Sequence, residues 1–339
     1  MKRRTYVLTT WLTGVLVLLG LMAWGTAVSR ADEQETGEQR LFLPLILNPN
    51  TAPDWLQYLN QFRQLADLPL VTEEATWSAG GVLHSKYMVR NDRITHSEDV
   101  SNKWYTPEGA AAGQNGNVAV FSLLSATDEM AIDLWMTGPF HAVGILDPAL
   151  QRTGFGSYHE DIGLWKTGAT LDVLRGIEPI PGSISFPIYF PQDGSDFWLT
   201  SYDGNESPDP LTSCPGYSAP SGPPIILQLG GGAYSNNDVT PNVTDSSFQS
   251  NGIDLEHCVF DETSYVDSAD PGAQSTGRSV LNARDAVVIM PKYPLAVGET
   301  YTASVTHDSS VYAWSFTIIS GNVVSPNQMG PGSFDYEIR

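Results

Sequence analysis

The chain has 339 residues, enough for two domains after an export signal, and its 41% hydrophobic content supplies packed interiors. With 38 acidic against 17 basic residues, the net charge of −21 excludes nucleic acid as a partner, because binding it needs a basic surface that displaces counterions. Charged residues make up only 16%, beside 31 Gly and 23 Pro, a balance that favours a folded, loop-rich protein over a disordered one.

Lys2, Arg3 and Arg4 precede an apolar stretch from Tyr6 to Val28, and Ser29-Arg30-Ala31 forms a small-x-small site. This is the layout of a secretory signal over residues 1–31, and it implies an extracellular or cell-surface location. Uncleaved, the same stretch would tie the protein to a membrane. Residues 32–53 read as a linker: an acidic tether, a short apolar run and a turn-rich end.

From Asp54 the pattern turns helical, with Trp55, Leu56, Leu59, Phe62 and Leu65 recurring at spacings of three and four. A second helix is expected over 73–90, its apolar face built from Trp77, Val82, Leu83, Tyr87 and Met88 despite Gly80-Gly81. Residues 98–117 read as loop, and 118–124 as a short strand. Thr127 caps a third helix that runs to Met136. The stretches 143–146 and 152–158 complete an alternating α and β domain over 54–176.

Residues 177–195 are rich in Pro and Gly and read as a second linker. Beyond it, strands are expected at 197–202, 225–229, 287–290, 301–306 and 311–318. The last two alternate apolar and polar residues, the mark of half-buried antiparallel strands, so 196–320 reads as a β-sandwich followed by a tail, 321–339. Cys214 and Cys258 suit a single disulfide in an exported chain, with two unpaired thiols as the alternative.

Recognition rests on motifs in a fixed order: Asn60-Gln61-Phe62-Arg63, His84-Ser85-Lys86-Tyr87-Met88, Thr95-His96-Ser97 and Gly113-Gln114-Asn115, then Trp135 to His141, Ile145-Leu146-Asp147-Pro148 and Gly154-Phe155-Gly156. In this order and spacing the set resembles bacterial SCP-like members of the CAP superfamily, the cysteine-rich secretory, antigen and pathogenesis-related proteins. The resemblance implies an α+β chain whose first domain is a three-layer α-β-α sandwich with an open cleft. It also implies that His96 and His141 line the cleft and could hold a divalent metal such as zinc. The family's glutamate falls on Gln114, an amide that can act neither as an anionic ligand nor as a base. Glu108, six residues earlier, could supply the missing charge; the family's second glutamate has no clear match, and Glu129 and Asp128 are candidates by their proximity to the Trp135 helix. Residues 285–318 resemble bacterial immunoglobulin-like modules, with Tyr301 and Trp314 as core residues.

The expected function is therefore binding of a small-molecule, lipid or cell-wall ligand in a His-lined cleft, favoured over catalysis. A metal-assisted hydrolase using His96 and His141 is the alternative from another class, and an adhesive surface protein with a vestigial cleft is the third. Ser97 beside His96 does not by itself make a triad, and Gly230-Gly231-Gly232 lacks the helix and lysine of a phosphate loop.

Overall fold

The computed structural model describes residues 52–321 apart from Tyr234, and the backbone of 333–335. The expected signal 1–31, most of the linker 32–53 and most of the tail 321–339 lie outside the described residues. The first half contains α1 (Asp54–Gln64), β1 (Thr72–Glu73), α2 (Ala75–Arg90), α3 (Pro107–Gln114), β2 (Gly116–Phe121), α4 (Asp128–Thr137) and α5 (Pro139–Ile145), then β3 (Arg152–Thr153), β4 (Phe155–His159) and β5 (Thr167–Asp172).

Strands β2, β5 and β4 pair antiparallel in that order. Successive side chains of a strand point to opposite faces, and β2 sorts accordingly. Val118 and Val120 cluster with Met88 of α2. Ala119 and Phe121 join the large core with Phe62 of α1, Trp135 of α4 and Phe140 of α5. The sheet is thus covered by α2 on one face and by α1, α4 and α5 on the other, a three-layer arrangement. Helix α2 can lie close to β4 because two glycines meet there. A Cβ on Gly156 would stand 2.1 Å from the Val82 nitrogen, and one on Gly81 would stand 2.8 Å from the Gly156 nitrogen.

The second half contains β6 (Ile188–Phe190), β7 (Ser195–Phe197), β8 (Ile225–Gln228), β9 (Val243–Ser250), β10 (Ile253–Asp254) and β11 (His257–Phe260), then α6 (Pro271–Asn282), β12 (Ala286–Pro291), β13 (Thr300–His307) and β14 (Ser310–Ile318). One sheet has the order β10-β9-β13-β14-β7 and the other β11-β12-β8-β6. All pairs are antiparallel except β14 with β7. Inward residues of β13 and β14 alternate as their sequence requires, with Tyr301 and Trp314 buried. Cys214 and Cys258 form a disulfide across 44 residues. A last strand, β15 (Ser333–Asp335), pairs antiparallel with β2 of the first half.

The two halves share one continuous apolar core. Phe62 meets Trp198 at 4.9 Å between ring centroids, and Phe140 meets Tyr265 at 4.9 Å and Phe260 at 6.1 Å. Each buried aromatic of this kind is worth roughly 2–3 kcal/mol of transfer free energy. Polar ties accompany them. Gln228 Nε2 donates to the Leu146 carbonyl at 3.0 Å, and Arg284 Nε lies 3.0 Å from Asp147 Oδ2.

Five local expectations need correction. Strand β6 lies inside the stretch 177–195 expected as a linker, and its Ile188 and Phe190 are buried. The β-rich half is not all β, because α6 interrupts it. Asp270 Oδ1 caps this helix by accepting from Gly272 N and Ala273 N at 2.9 and 3.0 Å, and Pro271 needs no N–H at its position. The expected loop 98–117 contains α3, started in the same way by Thr106 Oγ1 and Pro107. Val143 to Ile145 belong to α5, and of the expected strand 197–202 only Phe197 lies in a strand, β7, while Tyr202 makes an isolated bridge to Ser221.

Candidate functional site

His96 lies in the loop between α2 and α3 and is 3% exposed. Its Nδ1 donates to the Gly113 carbonyl at 2.8 Å. That carbonyl is in the last turn of α3, where helical carbonyls lack partners of their own. A carbonyl only accepts, so this contact fixes a proton on His96 Nδ1. Gln114 is the next residue and is half-buried. A side chain at position 113 would collide with His84, whose Cε1 is 2.2 Å from the place a Cβ would take.

His141 is fully buried on α5. Its Nδ1 lies 2.8 Å from Glu206 Oε1, and the same oxygen accepts from the His141 backbone N–H at 3.0 Å. Asn117, at the start of β2, donates from Nδ2 to the His141 carbonyl at 3.3 Å. The residue that precedes α5 is Gly138, which has no side chain with which to cap it. Glu206 supplies the missing acceptor from 65 residues away. Burial pushes the Glu206 carboxyl well above the usual carboxylate range, opposed by the N–H groups of His141 and Phe140. The short junction from Gly113 to Asn117 thus touches both histidines. Beside His141, Glu206 Oε2 and Asn117 Oδ1 are buried acceptors without a hydrogen-bond partner.

The other residues named from the sequence fall elsewhere. Glu108 is exposed in the first turn of α3. Glu129 is in the first turn of α4, where its charge acts on Asp128 and Asp133. The Ser97 hydroxyl sits against Thr95 Oγ1, at 3.4 Å. The glycine run 230–232 is occupied by the protein itself, since Gly232 N donates to Asp285 Oδ2 at 3.0 Å.

His84 of α2, met as part of a motif, is fully buried. Its Nε2 donates to the Thr95 carbonyl at 2.7 Å and its Nδ1 lies 3.0 Å from Glu98 Oε1. Glu98 Oε2 accepts from Thr106 N at 3.0 Å, which ties the loop to the start of α3. Sequence reasoning missed Glu98, Asn117 and Glu206. Glu98 stood two residues past His96 and could have been weighed as its neighbour. For Glu206 the chain offers no local signal.

A divalent metal is implied by the family likeness. Among the described residues, no group of three or more His, Cys, Asp or Glu is placed to hold one ion. The set His96, His141, Glu108 and Glu129 does not assemble such a centre, and Glu206, the carboxylate that does reach His141, faces its Nδ1.

No curated protein matches the chain. Residues 56–163 match the model of the CAP family, the Cysteine-rich secretory protein family. His84, His96, Gln114 and His141 lie inside the matched stretch and Glu206 lies outside it. Over residues 56–163 the helical half of this chain is therefore similar to the CAP family.

Proposed function

We propose that this is an exported, bacterial-type CAP protein that binds a small molecule, lipid or cell-wall component at the buried polar atoms around His141, with His96 and Gln114 as the other candidate binding residues. The observation that carries the reading is the pair of buried, unpartnered acceptors beside His141, Glu206 Oε2 and Asn117 Oδ1. Buried acceptors are costly to leave unsatisfied, by about 1–3 kcal/mol each. They favour a ligand that presents hydrogen-bond donors, such as hydroxyl or amine groups. Binding is preferred to hydrolysis because Gln114 occupies the position of the family's glutamate and cannot serve as a base. The β-rich half, read as an immunoglobulin-like module, supports the site through Glu206.

The test is calorimetry on the secreted form against muropeptides, phospholipid vesicles, a sterol and zinc, with His96→Ala and His141→Ala beside the wild type. Binding of an organic ligand, weakened at least about tenfold in His141→Ala, is the expected result, a loss of about 1.4 kcal/mol. A folded wild type that binds none of them overturns the proposal. Saturable zinc binding lost in both variants would transfer the site to the metal-assisted hydrolase.

A further inference from the structure

With 38 acidic against 17 basic residues, a cation in this chain has a carboxylate at hand almost everywhere. Lys166 pairs with Asp161 at 2.8 Å, Lys292 with Glu256 at 2.9 Å and Arg152 with Glu178 at 3.1 Å. Lys86 and Lys103 are different, since among the described residues neither enters an ion pair. They converge with Arg90 on the indole of Trp104. We infer that this cluster is a second binding site, which takes an acidic polysaccharide, a sugar chain carrying carboxylate or phosphate groups. It shares no residue with the polar atoms around His141.

Lys86 Nζ stands 4.9 Å from the centre of the Trp104 ring, Arg90 Cζ 4.5 Å and Lys103 Nζ 5.1 Å. Three positive charges are thus held within about 10 Å of one another, a Debye length at ordinary ionic strength. Glu160 compensates one of them, its Oε2 lying 2.6 Å from Arg90 Nε. The two ammonium groups remain. An indole attracts cations through its quadrupole, by about 0.5–1 kcal/mol at exposed positions, but it cancels no charge. The carboxylates of the loop 91–106 are engaged by their own surroundings. Asp99 Oδ1 accepts from the Ser101 N–H and hydroxyl, Asp92 Oδ1 from Trp165 N, and Glu98 Oε2 from Thr106 N.

Lys86 and Arg90 are one helical turn apart on α2 and share a face. The loop brings Lys103 and Trp104 to that face. Asn102 fastens it by donating to Asn91 Oδ1 at 2.7 Å and accepting from Trp104 N at 2.9 Å. Lys86 Nζ also lies 5.9 Å from the Tyr158 ring, whose hydroxyl donates to Glu160 Oε2 at 2.7 Å. Both rings and both α2 cations are half-buried and Lys103 is exposed, so the surface is ordered yet open to solvent. Aromatic rings suit the C–H faces of sugars, and ammonium and guanidinium groups suit oxyanions. One free anion gains only about 1 kcal/mol from a charge at about 4 Å in water, so charge repeated along a chain is what such a surface can hold. A bilayer is the weaker fit, because recognition of anionic headgroups takes about four to eight cations and fewer converge here.

A merely structural clamp on Trp104 would bind nothing, and that separates the two readings. The experiment is calorimetry on the secreted form with polygalacturonate oligomers, glycerol-phosphate teichoic acid and a neutral dextran of similar length, and vesicles of anionic phospholipid as a further arm. Saturable binding of polygalacturonate or teichoic acid is expected, without binding of dextran. The Lys86→Gln/Lys103→Gln double variant is expected to weaken it at least about tenfold. Raising NaCl from about 0.05 M to about 0.3 M is expected to weaken it several-fold, because the site faces solvent. A folded wild type that binds neither acidic polymer overturns the inference. So does binding that the double variant retains, and so does binding of vesicles without binding of either polymer. Should the double variant fail to fold, Lys103→Gln at its exposed position gives the same comparison with a smaller loss.

Discussion

The helical half and the β-rich half bury their polar groups in different ways. The helical half encloses Arg63, Asn60, His84 and Glu98, and each reaches backbone atoms of loops. Arg63 alone donates to the carbonyls of Pro69, Ile145, Asp147 and Leu150. The β-rich half has β8 and β12 wholly buried, carrying the apolar runs Ile225-Ile226-Leu227 and Ala286 to Met290. Its buried carboxylates sit at turns, as Asp261 does in accepting from Thr263 N and Ser264 N. The difference has a simple cause. A sheet satisfies its backbone sideways, so its side chains are free to be apolar. Short helices joined by long loops leave carbonyls over, and buried side chains must supply the donors.

The strongest challenge to this contrast is Arg63→Ala. It strands four carbonyls and should cost about 5 kcal/mol in denaturant unfolding, with Arg63→Lys recovering little because an ammonium lacks the planar fork. Recovery of most of the stability by lysine would show that charge matters here rather than geometry. In the β-rich half, where the side chains need no such tie, the covalent link between Cys214 and Cys258 is the counterpart. Replacing both cysteines with alanine should cost about 4 kcal/mol from the loop it closes. A loss spread over a single cooperative transition would agree with the core shared by the two halves. Two separate melting transitions would break that picture.

A smaller effect tests the seam. Asp133 of α4 accepts from Tyr58 at 2.6 Å, and Trp198 of the β-rich half donates to the Tyr58 hydroxyl at 3.2 Å. Burial is the main cause that pushes the Asp133 carboxyl up to about 7, against the hydrogen bonds from Tyr58 and Trp198. The raised value favours the protonated form in the fold. Its contribution is complete below about pH 4 and is lost as pH rises through about 7, on the order of 4 kcal/mol at most. Asp133→Asn should flatten that slope, measured by urea unfolding between about pH 4 and 8. An unchanged slope would mean that another group governs the seam.

Much of the helical half was legible. The spacing from Trp55 to Leu65 gave α1, and Asn60 and Arg63, met as part of a motif, prove to be the residues that tie the 65–71 loop and the 145–150 turn to it. The period-two pattern of 301–318 gave β13 and β14. Helices α3 and α6 were not expected: 98–117 was read as loop and 196–320 as a β-sandwich. The site was half legible. His96, Gln114 and His141 follow from motifs, whereas Glu98 reaches His84 through a loop whose path no pattern announces.

The sequence by itself determined the helices with an apolar stripe, the alternating strands and the motif histidines His84, His96 and His141, because period and motif are local properties of the chain. Only the tertiary structure decided that the halves share a core and that the acceptor behind His141 is Glu206. That contact spans 65 residues and depends on how two sheets and a helix pack, a relation that no local pattern encodes.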